Sequence, residues 1–246
     1  MAEGRIIAVA SGKGGVGKTW LAITLAHAMA RGGRRVLLFD ADLGLANVDV
    51  QLGLTPARDL AAVTHGRMTI RDIVHEHKVG GFGIAAGRSG SGLLALLEHT
   101  MLERLLADLR EVGRGYDVVL LDLGAGVQYC VRRMAAFADT LLVVATDDPA
   151  SLTDAYAVVK LHSADKPGGD VRLAVNLAAN RAHGERTYAA LRHACTTFLR
   201  RSPPLAGVVR RDERVRDAVR HQTLLLVRYP SCAAAADVEA LARALF

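Results

Sequence analysis

Short apolar runs and amphipathic stretches alternate along most of the chain. "RIIAVA" (5–10) is a compact apolar run ended by a glycine-rich turn, and "TWLAITLAHAMA" (19–30) follows as a helix stopped by Gly32 and Gly33. "RVLLFD" (35–40), "FGIAAG" (82–87), "YDVVLLDL" (116–123), "TLLVVAT" (140–146), "VRLAVNL" (171–177) and "LAGVV" (205–209) predict further strands. Between them, "TMLERLLADLREV" (100–112) sets Leu102, Leu105, Leu106 and Leu109 on one helical face. "SLTDAYAVVKLHSA" (151–164) opens after Pro149, a helix-entry residue. Strands that are apolar throughout, separated by helices, predict an α/β fold: a mostly parallel twisted sheet with helices on both faces. "DKPGGD" (165–170) reads as a turn rather than a boundary, and with no repeat or low-complexity tract the expectation is a single domain over 1–246.

Composition narrows this picture only a little. At 246 residues and 51% hydrophobic, the chain can bury a large core. Only 4% is aromatic, which argues against base stacking on single-stranded nucleic acid as a main activity. The net charge of +6, carried mostly by Arg, permits weak attraction to nucleic acid or anionic membrane and establishes neither. Cys130, Cys195 and Cys232 have no metal-site or redox spacing, so they read as reduced thiols. The start has no signal-peptide pattern, and no stretch approaches the roughly 18 apolar residues of a membrane span. The expected location is cytoplasmic.

Chemistry enters with "SGKGGVGKTW" (11–20). Gly12, Gly17, Lys18 and Thr19 complete a phosphate-binding loop, with Gly14, Gly15 and Val16 inside it and Trp20 directly after it. Its place between a first strand and a first helix lets backbone N–H groups and the helix N-terminus face an anion. Lys18 is expected to reach the phosphates, and the Thr19 hydroxyl to ligate Mg²⁺. Asp40 and Asp42 close and follow the second strand, and Asp122 closes "YDVVLLD". Carboxylates at these strand ends suit a Mg²⁺-dependent nucleoside triphosphatase. Lys13 is surplus to the loop.

"KGGVGKT", with that early lysine, resembles the deviant Walker A motif of the MinD/ParA class of P-loop ATPases. "LLFDADLGLANVDVQLGLTP" (37–56) resembles the switch I region of the flagellar-number regulators of the FleN/FlhG branch, and "TDDPASLTDAYAVVKL" (146–161) and "GVVRRDERVRDAV" (207–219) are similar to the same branch, in matching order. The resemblance runs over roughly 5–245. It implies ATP and Mg²⁺ as ligands, slow partner-stimulated hydrolysis and an ATP-bound homodimer in which Lys13 reaches the partner's nucleotide. It further implies that Asp42 positions the attacking water, that Asp40 and Asp122 surround the Mg²⁺ shell with Thr19, and that Gly126 senses the γ-phosphate. Asn176 corresponds to the adenine contact, with Arg210 to Asp212 lining the other side of the base. The implied partner is a flagellar regulatory protein, either a transcriptional activator or an assembly component.

The chain also departs from that pattern. Trp20 stands where a small or polar residue is common, and its indole reads as core packing. Arg210-Arg211-Asp212 replaces a Pro-x-Asp, which changes the expected base pocket. The stretch corresponding to switch II reads Asp122-Leu123-Gly124-Ala125-Gly126, with Gly124 where Ala is more usual, predicting a more flexible loop. With strand one beginning at Arg5, no room is expected for the N-terminal segment that stimulates the flagellar GTPase FlhF. The tail "DVEALARALF" places Val238, Leu241, Leu245 and Phe246 on one side with Arg243 as its only base. It reads as a final core helix, which weakens direct membrane binding. The alternative is a ParA-type DNA-segregation ATPase binding nonspecific DNA through Arg200, Arg201, Arg210, Arg211, Arg214, Arg216 and Arg220. A nucleotide-binding protein without hydrolysis is a third reading, opposed by Asp40, Asp42 and Asp122.

Overall fold

The computed structural model describes residues 4–42, 46–64, 66–87 and 98–246. Residues 43–45, inside the stretch assigned to switch I, therefore lie outside the described residues. The elements run β1 (Arg5–Ala10), α1 (Lys18–Arg31), β2 (Val36–Ala41), α2 (Val48–Leu52), α3 (Leu60–Thr64), α4 (Ile70–Ile73), β3 (His75–His77) and β4 (Phe82–Ala85). They continue with α5 (His99–Gly113), β5 (Val118–Leu123), α6 (Tyr129–Phe137), β6 (Thr140–Ala145), α7 (Pro149–Asp165) and β7 (Asp170–Ala178). The last are α8 (Arg181–Leu199), β8 (Leu205–Arg210), α9 (Glu213–Arg220), α10 (Leu225–Arg228) and α11 (Ala233–Ala244).

The described strands form one sheet in the order β3-β4-β2-β5-β1-β6-β7-β8. Each pairing is parallel except β3 with β4. The expected α/β architecture is thus present, with the polar "HEH" of β3 added as an antiparallel edge. Residue alternation divides the core in two. Ile7, Val9, Val36, Leu38, Val118, Leu120 and Leu142 face a layer built by α1, α10 and α11. Ile6, Ala8, Leu37, Phe39, Val119, Leu121 and Leu141 face the opposite layer of α5, α6, α7 and α8.

Local signals explain the helix ends. Asp148 caps α7 by accepting from Ala150 N–H at 3.1 Å, with Pro149 in the first helical turn. Asn180 caps α8 by accepting from His183 N–H at 2.8 Å. The tail is a core helix: Val238, Leu241 and Leu245 of α11 and its C-terminal end are buried. Phe246 departs from the expected face, being 50% exposed, and the Arg34 guanidinium stacks 4.7 Å from its ring centre. Among the described residues no helix is long and apolar enough to cross a membrane.

Candidate nucleotide site

The glycine loop joins β1, in the middle of the sheet, to α1, so it lies at the carboxyl edge where parallel sheets bind ligands. Gly17 is the N-cap of α1 and has φ 83°, a left-handed conformation that L side chains rarely adopt. A Cβ there would also lie 2.5 Å from Asn176 Nδ2. Asn176, at the far end of β7, donates to the Val16 carbonyl at 2.8 Å, and its buried Oδ1 has no protein partner. The sheet thereby brings a residue from the chain's last third against the loop near its beginning. Gly12 lies against the Asp154 backbone of α7, while Gly14 and Gly15 are exposed on the open side.

Register places the carboxylates. Asp40 of β2 is the cross-strand partner of Asp122 of β5. Both occupy the alternation that faces α1, and both are completely buried. Lys18 Nζ lies 3.1 Å from Asp122 Oδ1, while Asp122 Oδ2 has no hydrogen-bond partner. Burial pushes the Asp122 carboxyl up, opposed by the Lys18 charge and by the neighbouring Thr19 side chain. Asp40 is pushed up to about 7, first by burial and then by the Asp122 charge.

Asp40 also anchors the chain beyond β2. Its Oδ1 accepts from Asp42 N–H at 3.2 Å, and its Oδ2 accepts from Asn47 and Val48 N–H, each at 3.1 Å. One carboxylate therefore holds the start of switch I and the N-terminus of α2. At the other end of α2, Gln222 donates to the Val50 carbonyl at 3.0 Å. The Asp42 carboxylate lies against Gly124 of switch II. Gly126, with φ 97°, donates its N–H to Ser11 O at 2.9 Å and ties switch II to the phosphate loop.

Lys13 is exposed, with its ammonium paired to Asp148 at the head of α7. That ammonium and the Ala150 N–H hold the Asp148 carboxyl below its ordinary range. Trp20 is 8% exposed and its indole packs in the core beneath α1. The Arg210 guanidinium is turned to α11: its Nε lies 2.8 Å and its Nη2 2.9 Å from the Asp237 carboxylate. Asp212 caps α9, accepting from Arg214 N–H at 3.0 Å. The two residues expected to line the base thus carry contacts within the fold. Arg201, from the basic set, donates to Ser163 Oγ at 3.0 Å and to Gly169 O. Sequence reasoning did not single out Asp148, Asp237 or Gln222, because each acts on a distant segment.

The donors fit a magnesium nucleotide. The unpartnered Asp122 Oδ2 suits a cation or its water, and the unpartnered Asn176 Oδ1 suits an N–H donor on a base. Lys18 and the N-terminus of α1 suit phosphate.

Comparison with known proteins agrees with this geometry. Residues 7–225 match the family described as the CobQ/CobB/MinD/ParA nucleotide binding domain. The chain is 38% identical over 239 residues to the antiactivator FleN of Pseudomonas aeruginosa, covering 97% of this chain and 85% of that protein. It is 32% identical over 184 residues to the flagellum site-determining protein YlxH of Helicobacter pylori, covering 75% of this chain and 62% of YlxH. The septum site-determining protein MinD of Pyrococcus horikoshii, solved in complex with Mg-ADP, superposes with a TM-score of 0.81 at 23% identity, covering 98% of this chain and 95% of that one. The phosphate loop, the paired strand-end carboxylates and these similarities lead to one conclusion: the chain belongs to the CobQ/CobB/MinD/ParA nucleotide-binding family, as a MinD-like P-loop ATPase.

Proposed function

We propose that the protein is an ATP-dependent dimerising switch that regulates flagellar number or placement. The observation that carries this reading is the similarity to antiactivator FleN along 97% of the chain. The exposed Lys13 beside the phosphate loop supplies the physical device. ATP is the substrate and Mg²⁺ the cofactor. The output is binding to a flagellar regulatory partner, a transcriptional activator or an assembly component. Hydrolysis returns the switch to its resting state.

Backbone N–H groups of residues 12 to 19 and the Lys18 ammonium receive the phosphates. Thr19, Asp40 and Asp122 serve the metal shell. Mg²⁺ held by these residues would supply fixed positive charge against the phosphate groups. Asp42 orients the water that attacks the γ-phosphorus in line. Lys18 and Lys13 of the partner subunit take up charge as the bond to the leaving ADP oxygen breaks. Asn176 contacts the adenine.

Light scattering on Asp42→Ala tests the proposal. The expected result is a monomer with ADP and a dimer with ATP and Mg²⁺. A monomer in both states, with ATP binding confirmed, would sink it. A DNA-binding reading retains one supporting observation, the exposed Arg214, Arg216 and Arg220 on α9. Salt-sensitive binding of random duplex DNA that appears only with ATP would favour that reading.

A further inference from the structure

Among the described residues other than glycine, a left-handed backbone occurs at Leu177 (φ 58°), Arg200 (φ 55°) and Gln222 (φ 51°). Arg200 and Gln222 stand just past the ends of α8 and α9, where a left-handed residue commonly closes a helix. Leu177 instead lies inside β7, directly after Asn176. A bulky residue is held in that conformation only where its surroundings dictate it. Its own side chain does not dictate it: Leu177 is half-buried and joins none of the apolar clusters that the described residues form.

Strand register supplies the reason. Val175 pairs with Val208 of β8, and Ala178 pairs with Arg210. Asn176 and Leu177 of β7 therefore oppose Val209 alone, the count of a β-bulge. The bulge resets the alternation of the strand, since Val175 and Ala178 pack in the same cluster with Val208 and Tyr188 of α8 although an odd number of residues separates them. Both flanks are fixed. Val175 pairs with Ala145 of β6, and the Ala178 carbonyl accepts from Arg211 N–H at 2.8 Å. Between these anchors Asn176 keeps to the α1 side of the sheet, as Ala174 does, and donates its Nδ2 to Val16 O at 2.8 Å. Its buried Oδ1 is left without a protein partner.

We infer that Leu177 is a positioning residue for the base: its left-handed conformation closes the bulge that holds the Asn176 carboxamide on the phosphate loop, with Oδ1 left to accept from the base. Conformation, not the leucine side chain, is what the position requires. This rests on the reading of Asn176 as the adenine contact.

The test is Leu177→Pro, whose ring excludes a positive φ, beside Leu177→Gly, which adopts one freely. Calorimetric titration with Mg-ADP and with Mg-pyrophosphate separates recognition of the base from recognition of the phosphates. Leu177→Pro is expected to bind Mg-ADP about tenfold more weakly than wild type, the loss of one buried hydrogen bond. Its affinity for Mg-pyrophosphate should stay within about twofold of wild type, because the phosphate loop itself is unchanged. Leu177→Gly should keep both affinities within about twofold. If Leu177→Pro does not melt cooperatively, Leu177→Val takes its place, with a loss of about threefold for Mg-ADP alone, since a β-branched side chain disfavours the conformation. Wild-type Mg-ADP affinity in the folded variant would overturn the inference, as would equal losses for the two ligands. So would a matching loss in Leu177→Gly, which would assign the effect to the leucine side chain. Wild-type Mg-ADP affinity in Asn176→Ala would instead show that the reading of Asn176 had failed.

Discussion

Lys18 Nζ lies 3.1 Å from Asp122 Oδ1, with the two side chains 8% and 1% exposed. The Lys18 ammonium is neutralised from inside the fold, and a phosphate received there as proposed would compete with a carboxylate for it. Removing the carboxylate deprives the buried ammonium of its paired counter-charge. Asp122→Ala should lose about 3 kcal/mol of stability, a fall in Tm of roughly 8 °C for a chain of this size. Inorganic phosphate or ADP should restore part of that loss. Calorimetry with and without each ligand measures both effects; equal melting of variant and wild type would mean the pair contributes nothing.

Lys13 and Asp148 suggest a paired experiment on dimerisation. Lys13→Ala should stay monomeric with ATP while still binding ADP. Asp148→Asn retains a side chain able to cap α7 and removes the charge that holds Lys13. It should dimerise with ATP at protein concentrations equal to or below those the wild type needs. Joint loss of ADP and ATP binding in Lys13→Ala would show that the lysine serves only its own phosphate loop.

Arg210 offers a test of the base pocket. Its guanidinium forms a bidentate pair with Asp237, whose side chain is 3% exposed, so Arg210→Ala leaves that carboxylate with the backbone N–H of residue 210. The arginine is partly exposed, which reduces the cost to about 1–2 kcal/mol. ADP affinity should change less than twofold. A drop of tenfold or more in calorimetric titration would give Arg210 a direct role at the base.

His162 makes stability depend on pH. It is 4% exposed, its two ring nitrogens lack partners, and burial with the Lys166 and Arg201 charges lowers its pKa to about 4. Asp165 also faces it and acts in the opposite direction. The unfolded chain binds the proton near pH 6.5 and the folded protein only near 4, so stability is full above 6.5 and falls as pH drops through that window. His162→Leu should remove about 1 kcal/mol per pH unit from that slope between pH 6 and 4.5. His27, lowered to about 4 mainly by burial, keeps a similar slope in the variant. Urea titrations at several pH values measure the difference.

The parallel strands were legible because burial on both faces writes them as continuous apolar runs. The helix α8 was not singled out: its buried face includes Gly184, Thr187, Leu191 and Cys195, of which only Leu191 is large and apolar. The edge strand β3 was equally hidden, since "HEH" has two exposed residues and no apolar member. At the site, residue types and order could be read, but not their present partners. Whether Lys13 meets Asp148, or Arg210 meets Asp237, depends on packing between segments far apart in the chain. Gly124 could be read as a source of flexibility, and only the structure shows that it lies against the Asp42 carboxylate.

The facing positions of Asp40 and Asp122 across β2 and β5 tie the chemistry to the assembly of the sheet. A one-residue slip of either strand would turn its carboxylate out of the α1 side and into the apolar layer opposite. Mispairing would then lose the phosphate site and bury a charge among leucines in the same event. A ligand that needs both carboxylates would therefore stabilise only chains paired in this register.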